Sequence, residues 1–219
     1  MKKTILLIIT FTSCTLLFGS IPRSIRNALT QCYSGTYTGL DTLINIQGYY
    51  NAGGTMMFYD NGIVVGPLGL GYNEDPFLRN DVLFLKEIVE NPEAKDSKTF
   101  YGFIDCGSYM ICGDTIKVQL IHKSYSINDF WNGYEKWYLI IDKNLHLFNI
   151  IPLTTNLKDK EYRRNKYLPD PPRAGAKIHF VPVPVKPQPD NYWILKEKWF
   201  WCYDRDWQNY MKRKKQKKY

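Results

Sequence analysis

The residues of this chain that could do chemistry are three histidines, five cysteines and a few acids at predicted strand ends. His122 and His146 lie in alternating apolar segments, which favours core or rim histidines over catalytic bases. His179 shares a face with Lys177 and is expected to be exposed. No spacing matches a metal site, in which ligands recur about two to four residues apart. No serine elbow, phosphate-binding loop or dinucleotide fingerprint is present, so no metal or cofactor is predicted.

The acids Asp105, Asp114 and Glu135 are scattered, and no pair of them stands out. Glycosidases of the sandwich type can be built from isolated carboxylates of this kind. A carbohydrate-active enzyme therefore remains a minor alternative, which a carboxylate pair about 5–10 Å apart in a cleft would identify. The chain is otherwise predicted not to be an enzyme.

Four cysteines, Cys32, Cys106, Cys112 and Cys202, follow the N-terminal segment. An even number in an exported chain permits disulfides, and several connectivities are open. Cys106 and Cys112 are the pair that we favour, since they flank a short predicted strand. The alternative is that all four are free thiols, because a domain of this size does not need disulfides.

The N-terminus has the composition of a signal peptide. Lys2 and Lys3 precede an apolar or small run from Ile5 to Phe18. That run fits the apolar region of a secretory signal of about 7–15 residues, whereas a membrane-spanning helix needs about 20. We therefore predict export and prefer this interpretation to a transmembrane helix.

Cys14 refines the prediction of export. Residues Phe11-Thr12-Ser13-Cys14 resemble a bacterial lipobox, in which small residues precede a cysteine that is lipidated and becomes the first residue. The resemblance implies a lipoprotein anchored to the membrane of the cell envelope through Cys14. Ordinary cleavage near Gly19 or Ser20, with Cys14 removed, is the alternative.

The net charge of +8 belongs to the two ends of the chain. Lys2, Lys3 and the six basic residues between Lys212 and Lys218 account for all of it, so the segment between them is close to neutral. Nucleic-acid binding requires a basic face on the folded domain, and we do not predict it. The basic tail is expected to be solvated, with anionic head groups or phosphorylated glycans as alternative partners.

Period-two patterning predicts a mostly β fold. Met56–Val65 forms the clearest hairpin, because the turn Asp60-Asn61-Gly62 tolerates positive φ. A second hairpin is predicted, in which strands at Trp137–Ile141 and Leu145–Ile150 flank the turn Asp142-Lys143-Asn144. Thr115–Lys123 alternates between apolar and polar residues. About seven or eight short strands joined by such turns indicate an antiparallel meander, closed as a barrel or stacked as a sandwich.

Other segments give local predictions. Strands are expected at Leu40–Tyr50 and Thr99–Ile104, and a helix is expected at Asp81–Glu90. Loops are expected at Glu93–Lys98 and at the aromatic segment Ser126–Tyr134.

The C-terminal region is predicted to be a Pro-rich linker followed by a short helical arm. Its aromatic residues are expected to dock the arm onto the barrel, because exposing them would invite aggregation. The alternative is a platform that contacts a glycan or a protein partner. The candidate contact residues are Trp193, Trp199, Trp201 and Trp207.

Three segments resemble bacterial lipoproteins with a lipocalin-like, or calycin, barrel. They are Asp41–Tyr50, Phe58–Gly62 and Tyr109–Gln119, to which Trp137–Asp142 can be added. The resemblance implies an eight-stranded barrel that can hold one small apolar ligand, or a filled barrel that is a scaffold. The predicted domains are a signal peptide (1–19), a connector (20–36), the barrel (37–181), and the linker with its arm (182–219).

The leading hypothesis is therefore an exported, lipid-anchored barrel that binds an apolar ligand or serves an assembly in the envelope. A surface interaction module that grips a partner with its C-terminal arm is the second hypothesis.

Overall fold

The computed structural model describes residues 21–51, 55–66, 81–123, 131–156, 158, 161 and 178–216. Cys14 and the rest of the predicted leader lie outside the described residues, as does most of the charged segment that follows residue 156.

Eight antiparallel strands in the described residues form one sheet. Each strand is hydrogen-bonded to the next along the chain, and the last strand returns to pair with the first, in the order β7-β6-β5-β4-β3-β2-β1-β8. This confirms the predicted antiparallel meander. The strands are β1 (Gly48–Asn51), β2 (Thr55–Phe58), β3 (Ile63–Val65), β4 (Cys106–Cys112), β5 (Thr115–Lys123), β6 (Trp131–Ile141), β7 (Asn144–Pro152) and β8 (His179–Pro182).

Short helices cover and extend this sheet. The predicted helix at Asp81–Glu90 is confirmed, and the last helix begins at Asp204, as expected. Three 3₁₀ helices precede that last helix. The α-helices are α1 (Arg23–Arg26), α2 (Leu40–Leu43), α3 (Asp81–Glu90), α4 (Lys95–Phe103) and α5 (Asp204–Gln216), and the 3₁₀ helices are Pro189–Asn191, Trp193–Lys196 and Lys198–Phe200.

The sheet curls into a half-barrel around a single interior core. Side chains from β1 to β7 meet in this core, together with Ile178 and Phe180 from the start of β8. The amide of Ile178 donates a hydrogen bond of 3.1 Å to the carbonyl oxygen of Leu145 in β7. The two end strands of the sheet therefore approach each other.

Aromatic rings fill the middle of this interior. Phe58 lies edge-on to Tyr50, Tyr109 and Tyr138, with ring centroids 5.9, 5.5 and 6.5 Å away. All four side chains are buried, and the hydroxyl of Tyr138 donates to the sulfur of Met56. The described interior is thus packed with side chains, as a domain core is.

A second core lies between the outer face of the sheet and the elements that cover it. Helices α3 and α4 and the C-terminal arm pack over β2 and β3, so these strands are buried on both faces. Tyr59 joins the layers, because its hydroxyl bonds the Tyr192 hydroxyl at 2.7 Å and the carbonyl of Pro187 at 2.8 Å.

Helix α4 overturns the strand predicted at Thr99–Ile104 and the loop predicted at Glu93–Lys98. Ser97, Phe100, Tyr101 and Ile104 are all buried, and their spacing is that of one helical stripe. The alternation around Gly102 is too short to distinguish the strand period of two residues from the helical period of about 3.6.

Two further boundaries were wrong. In place of a strand from Leu40, residues Leu40–Leu43 form helix α2, and Leu40 and Ile44 enter the interior core. The strand begins only at Gly48. In the segment predicted as an aromatic loop, Trp131–Tyr134 already belong to β6.

The disulfide predicted between Cys106 and Cys112 is not formed. Both thiols are free, and the bond joins Cys32 to Cys202 instead. Cys106 and Cys112 stand six residues apart on β4, which is about 20 Å along an extended strand. A disulfide needs Cα atoms about 4.4–6.8 Å apart, so two ends of one strand cannot be bridged.

The Pro-rich segment after β8 lies against the sheet. Val183 and Pro187 are buried, and the Val183 amide donates to the carbonyl of Gln47. The ammonium of Lys186 donates to the carbonyls of Ile46 and Phe58, at 2.7 and 2.6 Å. In this part of the chain the prolines therefore follow the surface of the barrel.

Candidate functional site

One end of the barrel interior is polar. Leu120 belongs to the interior core, and His122, two residues further along β5, therefore has the same inward position. On β6, Tyr134 and Tyr138 belong to the core, so Lys136 between them also faces inward. The inward positions before His122 on β5 are apolar, and those after Lys136 on β6 are Tyr138 and Ile140. Because Lys136 pairs with Val118, the polar positions extend from one end of the half-barrel to the middle of β6.

Asp105 completes this polar end from the residue before β4. Its Oδ1 atom lies 2.5 Å from Nδ1 of His122, and its Oδ2 accepts a hydrogen bond of 3.0 Å from the Tyr134 hydroxyl. The Asp105 side chain is only 3% exposed, whereas that of His122 is 36% exposed. Both carboxylate oxygens are thus bonded, and His122 forms the side of the cluster that is open to solvent.

The electrostatics of this pair favour a protonated histidine. Burial by itself would lower the pKa of His122, but the hydrogen bond and the charge of Asp105 outweigh it, and the pKa is raised above 6.5. Burial raises the pKa of Asp105, against the influence of His122 and Tyr134. With Nδ1 bonded to Asp105, Nε2 is the ring nitrogen that remains for a ligand.

Lys136 is the second cation on this inward face. Its ammonium lies 5.5 Å from the centroid of the Tyr134 ring, and among the described residues it has no hydrogen bond or ion pair. Burial lowers the pKa of Lys136, whereas the charge of Asp105 opposes that change. The residue is therefore a partly desolvated cation at a distance from the acid that balances it.

A nucleophilic mechanism is not supported by this arrangement. Cys106 and Ser108 occupy outward positions on β4, opposite to the face that carries the polar cluster. Burial raises the pKa of the Cys106 thiol well above its ordinary value, so the thiolate is disfavoured. Neither Cys106 nor Ser108 is therefore available to the Asp105–His122 pair as a nucleophile on its own face.

The three predicted acids are brought to separate places. Asp105 faces the interior, and Glu135 lies on the outward face of β6, where its carboxylate accepts from Gln119 and Trp137. Asp114 lies in the β4–β5 turn at the opposite end of the strands. The described residues therefore do not place any two of these acids as a glycosidase pair.

The network around Gln119 fastens the N-terminal connector to the barrel. The Gln119 side-chain oxygen accepts from the amides of Thr30 and Gln31, each at 3.1 Å, and its nitrogen donates to Thr30 and Glu135. Gln119 is 1% exposed. These contacts satisfy the buried side-chain amide of Gln119 and indicate a structural role.

The tryptophans predicted as partner contacts are engaged within the chain. Trp193 is buried, and its indole nitrogen donates to the carbonyl of Ile104 at 2.8 Å. Trp201 and Trp207 donate to carbonyls of the 3₁₀ segment, and Trp199 donates to Glu197. The arm is docked on the body, as the sequence favoured, and these indoles do not form a free platform.

The outer face of β4, β6 and β7 exposes apolar side chains instead. The patch contains Trp137, whose ring lies edge-on to Phe148 and under the ammonium of Lys117. Its exposed members are Met110, Leu139, Ile141 and Phe148. An exposed cluster of this kind is typical of a surface that contacts another molecule.

Comparisons with known proteins do not identify the chain. No protein-family model, curated protein or solved structure matches it. Within the described residues, none of the helices has the length and apolar character needed to cross a membrane. The same residues contain no group of three or more histidine, cysteine, aspartate or glutamate side chains that could hold a metal ion.

The candidate site that sequence reasoning missed is the grouping of Asp105, His122 and Lys136. The signal was present in the β4–β5 turn, because a turn at Gly113 and Asp114 sets a register in which Asp105 stands opposite His122. His122 itself was correctly predicted as a rim histidine whose side chain has a partner, and His179 is exposed as expected.

Proposed function

We propose that this protein is an exported, lipid-anchored β-barrel of the cell envelope, and that it works as a scaffold through its outer surface. The observation that carries the proposal is the packed interior around Phe58, where a carrier would need a cavity. A barrel of about eight strands is small enough for its own side chains to fill.

Export is supported by two independent features. Lys2, Lys3 and the apolar run to Phe18 have the order of a signal peptide, with Cys14 as the lipidated residue. The bond between Cys32 and Cys202 fits an oxidising compartment, since structural disulfides are rare in the cytosol.

The resemblance to lipocalin-like lipoproteins is part of the proposal. In a lipocalin-like barrel of this kind, β7 and β8 would meet and close the half-barrel. The hydrogen bond between Ile178 and Leu145 supports this closure. Closure would remove the unpaired edges at which exported β proteins aggregate.

Labelling with a radioactive fatty acid in the native host tests the anchor. The wild-type chain should carry label and remain with the membrane fraction, and Cys14→Ser should lose both. Cys112→Ser is the matched control, because Cys112 is an exposed free thiol elsewhere in the chain. Release of the wild type without label would refute the anchor.

Native mass spectrometry of protein purified from its host tests the scaffold. The expected mass is that of the lipidated chain alone, because side chains pack the described interior. A retained apolar molecule would support a carrier and overturn the scaffold.

The second candidate is an interaction module, and the exposed patch on the outer face of β4, β6 and β7 favours it. Cross-linking in the envelope tests this candidate, with a photoreactive residue at Phe148 and a matched one at Arg205. A product specific to Phe148 is expected if the sheet face contacts a partner.

A further inference from the structure

The polar end of the barrel carries an inference that goes beyond a scaffold role. We propose that His122 and Lys136 form a binding site for a small oxyanion, with a carboxylate or phosphate group as the recognised chemistry. The argument rests on where the charges lie, how they are balanced and which of them has access to solvent.

The first step is placement. The inward positions of β5 nearer the β4–β5 turn are apolar, and His122 pairs with Asn132 at the opposite end of that strand. Lys136 pairs with Val118, nearer the middle of the strands. Its ammonium lies 5.5 Å from the ring centroid of Tyr134, whose hydroxyl bonds Asp105, and this links Lys136 to the cluster of Asp105 and His122. A scaffold with a filled interior has no use for a lysine at an inward position, because an apolar residue there would pack without desolvating a charge. Lys136 is therefore a candidate for a contact with a molecule other than this chain.

The second step is charge balance. Asp105 is the only carboxylate that the described residues bring to this end, and it already accepts hydrogen bonds from His122 and Tyr134. The neighbouring strands do not add an acid at these positions. Gly66, which follows β3, donates its amide to the backbone carbonyl of Asp105. On β7, the residue paired with Lys136 is Ile150. When His122 is protonated, the described residues of this cluster contribute two cations and one anion, which is a net charge of +1.

The third step is access. His122 is partly exposed while Asp105 is buried, so an anion that approaches from solvent meets the histidine first. Nε2 of a protonated His122 and the Lys136 ammonium are both donors. Asp105 bonds His122 through Nδ1, and the Lys136 ammonium lies near the Tyr134 ring. Within the described part of the chain these two donors have no acceptor, and such donors in a partly desolvated site favour an oxyanion over a metal cation or a neutral ligand.

The experiment measures the thermal unfolding of the full mature chain, purified in a nonionic detergent, with potassium phosphate, sodium acetate or chloride at equal ionic strength. At about pH 6, phosphate or acetate should raise Tm above the value in chloride. The gain should fade as pH rises through the raised pKa of His122. The same titrations followed by NMR should move the His122 ring resonances, while those of His146 and His179 stay in place.

Two lysine variants make the test specific. Lys136→Met should weaken oxyanion binding about tenfold or more while its own Tm stays equal or rises, because a desolvated charge has been removed. Lys117→Met removes a lysine from the outward face of the neighbouring strand and should bind as the wild type does. A purely structural Lys136 would lower Tm on substitution and leave the oxyanion response intact, which overturns the site.

Hexanoate separates this proposal from the scaffold proposal. It should bind no more than about twofold tighter than acetate if the interior is filled, whereas each buried methylene would tighten binding about fourfold. Tight hexanoate binding would refute the filled scaffold and keep the oxyanion site, with a fatty acid as its source. No response to any oxyanion, or equal responses in Lys136→Met and Lys117→Met, would overturn the site alone.

Discussion

Cys32 and Cys202 are joined by a disulfide across a sequence separation of 170 residues. Backbone hydrogen bonds reinforce the junction, because Tyr33 donates to the carbonyl of Phe200 at 2.8 Å and accepts from the Cys202 amide at 2.9 Å. The Tyr33 ring also stacks on Phe200 at 5.4 Å. The N-terminal connector and the C-terminal arm therefore form one structural unit on the outside of the barrel.

This junction gives the first prediction. Replacing both Cys32 and Cys202 by serine should lower the free energy of unfolding by about 2–5 kcal/mol, since the bond closes a long loop in the unfolded chain. Chemical denaturation of the oxidised protein and the variant measures the difference. Cys112→Ser, at an exposed free thiol, is the control and should change it by less than about 0.5 kcal/mol. Equal stability of the wild type, the double serine variant and Cys112→Ser would show that non-covalent contacts alone hold the connector and the arm together.

The second prediction concerns the C-terminal arm. Ile194 and Leu195 are 0% exposed within the outer core, so deleting residues 190–219 should unfold the domain rather than only remove a partner site. Ile194→Ala alone should cost about 2–5 kcal/mol of the free energy of unfolding. Arg205→Ala, at a side chain that is 86% exposed, is the matched control and should be close to neutral. Circular dichroism melting curves measure these effects. A deleted chain that melts as the wild type does would contradict the docking seen here.

Local signals in the sequence were sufficient for the hairpins and failed for contacts between distant segments. The turn at Gly62 has φ of 93°, and Asp142 and Lys143 have positive φ, so both predicted turns follow from the residues in them. Helix α4 was missed because its buried residues fit a short alternation almost as well as a helical stripe. Packing of Phe100 and Tyr101 against Tyr192 favours the helix over the strand. Tyr192 is distant in sequence, so the local pattern does not contain this information.

The candidate site was missed for a related reason. Asp105 and His122 are 17 residues apart, and only the β4–β5 register brings them together. Lys136 was not considered as an inward residue, because the strand that carries it was expected to begin at Trp137. The disulfide partners are farther apart still, and four cysteines permit several pairings that composition does not distinguish.

The third prediction tests the filled interior. Phe58→Ala should cost about 3–5 kcal/mol and leave a cavity among the rings of Tyr50, Tyr109 and Tyr138. A cavity lined in this way should then bind a small apolar probe such as indole, and the wild type should not. Phe148→Ala, at a ring that is 39% exposed, should cost much less and should not create binding. Thermal unfolding with and without indole gives both readings. Indole binding by the wild type would show that the interior already contains space.

The fourth prediction concerns Lys186, which anchors the segment after β8. Burial lowers its pKa from 10.5 to about 8, against the opposing charge of Asp60. Between these two values the folded chain has lost this proton and the unfolded chain still holds it, so the Lys186 contribution to stability rises with pH across that window. Lys186→Met should lack this rise, since the methionine side chain does not titrate. It should also be less stable than the wild type, because two carbonyls, those of Ile46 and Phe58, lose their donor.

Urea denaturation at about pH 7 and about pH 9.5 measures the difference between the two proteins. Lys196→Met is the control, and its stability should follow that of the wild type with pH. A gap between wild type and Lys186→Met that stays constant or narrows toward the higher pH would show that the ammonium is not desolvated in the folded chain.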